Sequence, residues 1–298
     1  MNRAAVLQDH SFLDEPVKKT SLLKVVAKRL SKNKLAMTGL LIFLVLALLA
    51  AISPYIIPYG YDQIDMTVRL QPPSLAHPFG TDHLGRDLFS RILYGGRFSL
   101  SLGIFAMGLA VIMSVIVGAT AGFFGGWVDI ILMRILDILQ ALPTIFLAIL
   151  ISALLGNGYG TTIVALAVPR VASFSRLIRA QFLKMSSEEY VEAARSIGSN
   201  RVTIMMRHIM PNALQPLIVS ATMGLANTVL QAASLSFIGL GIQSPTPEWG
   251  AMLSGARDFM RDYPWLVIVP GIFIFITVLS VNLFGDGIRD ALDPKLKD

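Results

Sequence analysis

The chain has 298 residues, of which 54% are hydrophobic and only 15% are charged, and its formal net charge is +6. Soluble domains carry about 25% charged residues, so this composition indicates an integral membrane protein. The absence of cysteine excludes a disulfide framework, a thiolate metal site and a cysteine nucleophile.

The amino-terminal segment, residues 1–34, is predicted to lie in the cytoplasm. Eight basic residues precede the first apolar stretch, against three acidic ones. Such an excess beside a first span is typical of a cytoplasmic end, and it accounts for the positive charge without nucleic acid. Leu22, Val26 and Leu30 share one face, as in a helix on the membrane surface or a plain extension of the first span. The basic residues are Arg3, Lys18, Lys19, Lys24, Lys28, Arg29, Lys32 and Lys34.

Five uncharged stretches are long enough to cross a membrane, which takes about 20 apolar residues. The third is long enough for two helices, and the glycines within residues 156–160 mark the break between them. The sequence therefore predicts an all-α protein with six transmembrane helices. The first is expected to be an uncleaved anchor, because no small-residue cleavage site follows it. The stretches are 35–61, 98–128, 138–169, 212–247 and 263–285.

The charges of the loops assign both termini to the cytoplasm. The cytoplasmic segment, residues 184–211, carries four lysines and arginines, whereas residues 61–97 balance four arginines with four aspartates, as expected of an external loop. The tail, residues 286–298, is basic again towards its end. The chain thus divides into 35–97, the first helix and external loop, and 98–285, a core of five helices.

Several kinds of chemistry are disfavoured by the residues that are missing. None of the nine lysines follows a glycine, which excludes a P-loop and places any ATP and magnesium in a partner. All four histidines lie outside the predicted spans, and only Asp129, Asp137 and Asp286 come close to one. Carriers driven by ion gradients usually keep such a group at membrane depth, so a secondary carrier is the less favoured alternative. The sequence also shows no metal-ligand cluster and no Ser–His pairing on facing helices, so we predict that the chain is not an enzyme.

The cytoplasmic segment is predicted to form two short helices. Ser186 and Glu189 fit a capping box at the start of the first helix. Gly198 stands where a helix ends in the left-handed conformation, and Ser199 can cap the second helix. Pro211 is expected to end that helix.

The second cytoplasmic helix is predicted to carry one apolar face, formed by Val202, Met205, Met206 and Ile209. Two adjacent methionines suit an adaptable docking surface. The alternative is that this face packs beneath the transmembrane helices of the same chain, and periodicity does not separate the two.

The cytoplasmic segment resembles the EAA loop of ABC-importer permeases, in its Glu192-Ala193-Ala194, its Gly198 and its Ile209-Met210-Pro211. In that family the loop forms a coupling helix that sits in a groove of a separate ATPase subunit. The resemblance favours docking over internal packing. It implies ATPase coupling by Glu192, Ala193, Ala194, Gly198, Met205, Met206 and Pro211.

Three further blocks resemble the second permease subunit of dipeptide/oligopeptide/nickel importers: residues 79–95, 247–250 and 282–294. The resemblance implies the type I permease fold in a bacterial or archaeal cell membrane. It implies a homologous permease as heterodimer partner, one or two ATPase subunits that bind ATP and magnesium, and an external substrate-binding protein. Di- or oligopeptides are the expected solute, with nickel, glutathione or another small solute as alternatives. Residues 79–95 would either receive the binding protein or form a folded plug.

Small residues recur at every fourth position of the second predicted span, a pattern typical of close helix–helix contact. In the fifth predicted span, polar residues recur at helical spacing. They suit either an uncharged pathway or hydrogen bonding between helices, and a scaffold protein or membrane enzyme would leave them unexplained. The small residues are Ala106, Ala110, Ser114, Gly118 and Gly122, and the polar stripe is Ser220, Gly224, Asn227, Gln231 and Ser234.

Arg170 is the charged residue that the sequence places deepest in a predicted span. Inserting an arginine at the centre of a membrane helix costs about 2.5–3.5 kcal/mol of free energy. It should therefore face a cavity or a partner subunit. We predict that Arg170, Asn227 and Gln231 line the pathway.

Overall fold

The computed structural model describes residues 22–292, and within that range the regular structure is helical. Two short 3₁₀ turns, at Met66–Val68 and Arg257–Phe259, supplement the α-helices. The predictions about Arg3, Lys18 and Lys19, and about the end of the tail, fall outside the described residues. The α-helices are α1 (Leu22–Lys32), α2 (Lys34–Ile56), α3 (Leu88–Phe124), α4 (Gly126–Gln140), α5 (Thr144–Leu155), α6 (Tyr159–Ser186), α7 (Glu189–Ser196), α8 (Arg201–Thr203), α9 (Met210–Phe237), α10 (Trp249–Ala256) and α11 (Trp265–Leu292).

Five of these helices are long and apolar enough to cross a membrane: α2, α3, α6, α9 with the turns before it, and α11. The pair α4 and α5 supplies a sixth crossing if it spans as one unit, but its two helices meet at 90°. The sequence predicts one helix from residue 138 to the glycine break at 156–160, whereas the structure interrupts this stretch at residues 141–143. Pro143 lies at the break and lacks the N–H that a continuous helix needs, so α4 ends at Gln140.

Two ion pairs hold α4 against α6. Arg179 binds Asp129 through both Nε and Nη2, and Arg176 binds Asp137. These aspartates are the acidic residues of the sequence that come closest to the third predicted span. Because each is paired with an arginine of α6, both serve the attachment of α4.

The helix packing of α3 against α6 follows the predicted stripe of small residues. Ala106, Ala110 and Ser114 are fully buried. A Cβ atom added at Gly118 would lie 2.5 Å from the backbone oxygen of Ser175, and one at Gly122 would lie 2.7 Å from the Cβ of Phe182. The predicted close contact between helices is therefore confirmed.

The amino-terminal helices α1 and α2 are separate, because Asn33 caps α2 by accepting a hydrogen bond from the backbone N–H of Ala36. A Cβ atom at Gly287 of α11 would meet Ala36 at 2.2 Å and Leu30 at 3.1 Å. Helix α1 thus ends against α11 and does not simply extend the first span.

The loop predicted to be external folds into a plug whose charged residues point inward. Asp82 and Arg86 are buried and paired at 2.6 Å, and Arg91 donates to the backbone oxygen of Tyr61 at 2.8 Å. Asp87 caps α3 and lies 3.0 Å from the ring nitrogen of His77. Of the two alternatives for residues 79–95, the structure supports the plug, because these side chains are not on the surface.

Helix α10, in the connection between α9 and α11, packs against the first turns of α3. Glu248 is buried, accepts hydrogen bonds from the Ser99 hydroxyl at 3.1 Å and the Ala251 N–H at 2.8 Å, and its burial raises its pKa. A Cβ atom at Gly95 would lie 1.8 Å from the backbone oxygen of Pro247. The blocks 79–95 and 247–250 are therefore two halves of one packed external cap.

Candidate functional site

The cytoplasmic segment reverses direction at Gly198, directly after α7. Gly198 has φ +80°, its N–H donates to the Arg195 oxygen at 3.0 Å, and the Ser199 N–H donates to the Ala194 oxygen at 3.0 Å. This bonding pattern is the Schellman motif, which requires a left-handed residue after the helix. The predicted left-handed conformation of Gly198 at the end of the helix is confirmed.

Neither of the two predicted caps of this segment forms. Helix α6 runs on to Ser186, whose hydroxyl donates to the Phe182 oxygen at 2.7 Å, so the predicted capping box with Glu189 is wrong. Glu188 occupies the N-cap position of α7 without a side-chain bond. At the next start, Asn200 accepts from the Thr203 N–H at 2.7 Å, in place of the predicted Ser199.

The second cytoplasmic helix does not end at Pro211. It continues as a π-helix over Ile204–Ile209 and joins α9, in which Pro211 occupies the first turn. The Met210 N–H donates to the Met205 oxygen, five residues back. A proline is tolerated in a first turn because its N–H would have no helical partner there, and the wider turn before it absorbs the interruption.

One face of the cytoplasmic segment packs into the transmembrane core. Val191, Ala194, Ile204 and Ile209 are buried in one apolar cluster together with Phe182. The same cluster continues into α3 and α9. The segment is therefore joined to three membrane helices by side-chain packing and by chain connectivity.

The other face of the segment is an exposed surface, which we call the tip surface: Tyr190, Glu192, Ala193, Ile197, Val202 and Met206. Ile197 at the turn is 83% exposed, Val202 64% and Met206 51%. The four residues predicted to share one face are thus divided, because the π-helix rotates the later ones. Ile209 is buried and Met205 packs against the core, whereas Val202 and Met206 face outward.

Ile197 is the most exposed apolar residue of the tip surface, and it is not among the residues predicted for coupling. Its signal is positional, because an apolar residue just before a left-handed glycine lies outside the helix face that packs inward. Of the residues predicted for coupling, Glu192 and Ala193 are exposed and Ala194 is buried.

The structure brings two predicted pathway residues together inside the membrane region. The Arg170 Nη2 atom of α6 donates to the Gln231 Oε1 atom of α9 at 3.2 Å, although the residues are 61 positions apart. Arg170 lies eleven residues beyond the start of α6, about 17 Å at 1.5 Å per residue, and therefore near the middle of this 28-residue helix. The side chain is half-buried, and its Nε atom has no hydrogen-bond partner among the described residues.

The surroundings of this arginine are uncharged. A Cβ atom at Gly224 would lie 3.3 Å from Arg170 Nη1, so the glycine leaves space for the guanidinium. Asn227 is exposed on the same helix as Gln231. The Ser234 hydroxyl donates back to the Leu230 oxygen at 2.8 Å and is satisfied within its helix. Through residues 22–292, no three His, Asp or Glu side chains come together as a metal site would require.

Family comparison gives two matches. Residues 110–298 match the model of the binding-protein-dependent transport system inner membrane component. Residues 21–73 match the N-terminal TM domain of oligopeptide transport permease C.

Two curated relatives are similar over most of their length. The dipeptide transport system permease protein DppC of Alkalihalophilus pseudofirmus is 46% identical over 270 residues, covering 91% of this chain and 89% of the relative. The glutathione transport system permease protein GsiD of Pectobacterium atrosepticum is 44% identical over 271 residues, covering 91% and 90%.

Solved structures share the fold at low identity. The inward-facing MetNI methionine ABC transporter has a TM-score of 0.55 and 19% identity, covering 69% of this chain and 98% of that one. An amino acid ABC transporter with histidines has a TM-score of 0.52 and 17% identity, covering 67% and 92%.

Proposed function

Since the chain belongs to the family of binding-protein-dependent transport system inner membrane components, we propose that it forms one half of the pathway of an ATP-driven importer of short peptides. It is a multi-pass permease subunit of the ABC importer type, with the type I permease fold. Its two curated relatives are named for dipeptide and for glutathione transport, and glutathione is itself a tripeptide. Glutathione is therefore the alternative solute closest to the main proposal, and nickel is the more distant one.

The importer would contain a second, homologous permease, one or two ATPase subunits and an external substrate-binding protein. ATP and magnesium would be bound by the ATPase subunits, with no ATPase site and no cofactor in this chain. The complex would lie in a bacterial or archaeal cell membrane, with both termini of this chain in the cytoplasm. The positive amino-terminal segment and the basic cytoplasmic segment support this orientation.

Coupling would run through the tip surface, and one observation carries this part of the proposal. The residues behind the tip, Val191, Ala194, Ile204 and Ile209, belong to the same buried cluster as Phe182 of α6. Close-packed interiors transmit displacement rather than absorb it. An ATPase subunit that binds Ile197 and Met206 would therefore move α6 and α9 when it closes on ATP. ATP hydrolysis would return the two helices to their starting positions.

The pathway would run along the uncharged polar face of α6 and α9. Gln231 and Asn227 offer hydrogen bonds without charge, so they would pass peptides of varied sequence without holding them. Arg170 would contribute the single charge, held in place by Gln231. An arginine at this depth is tolerated when it faces water or protein, which the pathway provides.

The test is copurification of the tagged chain with its partners, followed by ATPase and uptake assays in proteoliposomes. Ile197→Asp places a charge on the tip surface and is expected to release the ATPase subunits. The matched control is Met260→Asp, which puts the same charge on an apolar side chain of the external region that is 57% exposed. Retention of the ATPase by Ile197→Asp would refute coupling through the tip. Transport by the purified chain alone, driven by an ion gradient, would establish the carrier alternative instead.

A further inference from the structure

We propose that a cleft beside the cytoplasmic segment binds the phosphate headgroup of an anionic phospholipid. The cleft has a volume of about 680 Å³ and opens between the cytoplasmic ends of α3 and α6 and the turn that joins α7 to α8. It is lined by Gly122, Phe123, Phe124, Gly125, Leu183, Ser186, Arg195, Ser199, Arg201 and Ile204.

The charge of the cleft is positive and uncompensated. Arg195 and Arg201 line it from the two sides of the Gly198 turn, and both are exposed. In the part of the chain that the structure describes, neither forms an ion pair with a carboxylate, whereas Arg176 and Arg179 nearby do. Two guanidinium groups facing one space match a phosphate, which accepts bidentate hydrogen bonds from arginine.

Apart from Ser186 and Ser199, the remaining lining consists of glycine and apolar residues, which suit the acyl chains of a lipid. Phe124 is 62% exposed, and Leu183 is also exposed on the facing helix. Gly125 has φ +63° and no atom within 4 Å of an added Cβ, so the cleft is open beside this glycine. A cleft that combines two arginines with the exposed side chains of Phe124 and Leu183 fits a phospholipid better than a free phosphate ion.

The cleft also lies at the right depth. Helix α3 has 37 residues, about 55 Å at 1.5 Å per residue, and so exceeds a hydrocarbon core of about 30 Å. Its cytoplasmic end therefore reaches the level of the lipid headgroups. Trp127, two residues beyond the cleft, is 77% exposed, and tryptophan is enriched at this interface. Basic pockets between membrane helices on the cytoplasmic side are known sites for anionic headgroups.

The cleft is distinct from the tip surface. None of its lining residues is a member of the tip surface, although the two share the Gly198 turn. A lipid held by Arg195 and Arg201 would bridge the ends of α3 and α6 to the cytoplasmic segment. The lipid composition of the membrane would then tune how firmly that segment is held.

Native mass spectrometry tests this on the full-length chain, purified in mild detergent with the subunits that accompany it. Phosphatidylglycerol and phosphatidylcholine with the same acyl chains are titrated separately. Wild type is expected to bind phosphatidylglycerol at least tenfold more tightly than the double variant Arg195→Gln/Arg201→Gln, with no difference for phosphatidylcholine. The control is Arg69→Gln/Arg261→Gln, which removes two exposed arginines of the external region.

Three results would overturn the proposal. Equal phosphatidylglycerol binding by wild type and the Arg195→Gln/Arg201→Gln variant is one. Competition by inorganic phosphate at the same concentration as the lipid is the second, since it would assign the cleft to a free anion. Displacement of the lipid by purified ATPase subunit is the third, since it would assign the cleft to that partner.

Discussion

The hydroxyl of Ser99 in α3 donates to the carboxylate of Glu248 at the start of α10, across 149 positions of sequence and with both side chains buried. The same hydroxyl accepts a hydrogen bond from the Trp249 N–H at 3.0 Å. A single serine thus joins the external cap to the top of a membrane helix.

This relationship predicts a pH dependence of stability. Burial raises the pKa of Glu248 in the folded protein above its unfolded value. The folded state therefore binds the proton more tightly, and its stability falls as pH rises from the unfolded pKa towards the folded one. Glu248→Gln keeps an oxygen that accepts from the Ala251 N–H, and it has no charge to bury. The melting temperature of this variant should therefore fall less between low and high pH than that of the wild type. Thermal unfolding at pH 5 and pH 8 checks this, and an unchanged slope in Glu248→Gln would count against it.

Gly198→Ala is expected to weaken coupling by straining the turn beneath the tip surface. An L-residue at φ +80° costs about 1 kcal/mol, and nothing lies within 4 Å to clash with the new methyl group. Gly239→Ala is the matched control, because Gly239 has φ +86°, equally open surroundings and the same pair of backbone hydrogen bonds at the end of α9. Substrate-stimulated ATPase activity should fall severalfold in Gly198→Ala alone. Equal losses in both variants would show a general effect of strain.

Arg170→Gln should reduce uptake about tenfold while leaving assembly intact, because the guanidinium faces the proposed pathway and makes one hydrogen bond, to Gln231. Arg170→Lys keeps the positive charge but lacks the forked guanidinium, so its uptake should lie between that of the wild type and that of Arg170→Gln. Uptake by proteoliposomes and copurification of the ATPase separate the two effects. Normal uptake in Arg170→Gln would remove this residue from the pathway.

Gly118→Ala and Gly108→Ala should change stability in opposite directions, although both lie in α3. The methyl group at Gly118 would meet the Ser175 oxygen at 2.5 Å, so overpacking should cost about 1–3 kcal/mol. At Gly108 nothing lies within 4 Å, and the gain in helix propensity is up to about 1 kcal/mol. Thermal unfolding of the two variants measures this, and a stable Gly118→Ala would mean that α3 and α6 are less closely packed than the structure shows.

The features predicted correctly from sequence are those that depend on local chemistry. Long apolar runs form helices in lipid because their backbone hydrogen bonds must be made internally, and the stripe of small residues that includes Gly118 is typical of a close helix contact. Gly198 was predictable because few residues tolerate its conformation.

The features that escaped prediction depend on packing in three dimensions. The π-helix before Pro211 divides Val202 and Met206 from Ile209, and periodicity assumes a regular helix. Arg170 and Gln231 were each singled out from the sequence, but their pairing depends on how α6 and α9 rotate against each other. Charge balance indicated that residues 79–95 are external, whereas their burial required the fold.

The attachment of α4 has a mechanical consequence. Arg176 and Arg179 pair with aspartates two turns apart on α4, so a displacement of α6 is passed to α4 at two points. The chain immediately beyond, residues 141–143, lies outside any helix. Because α5 also packs along α6, a displacement of α6 would carry both helices, and this short joint would set the angle between them.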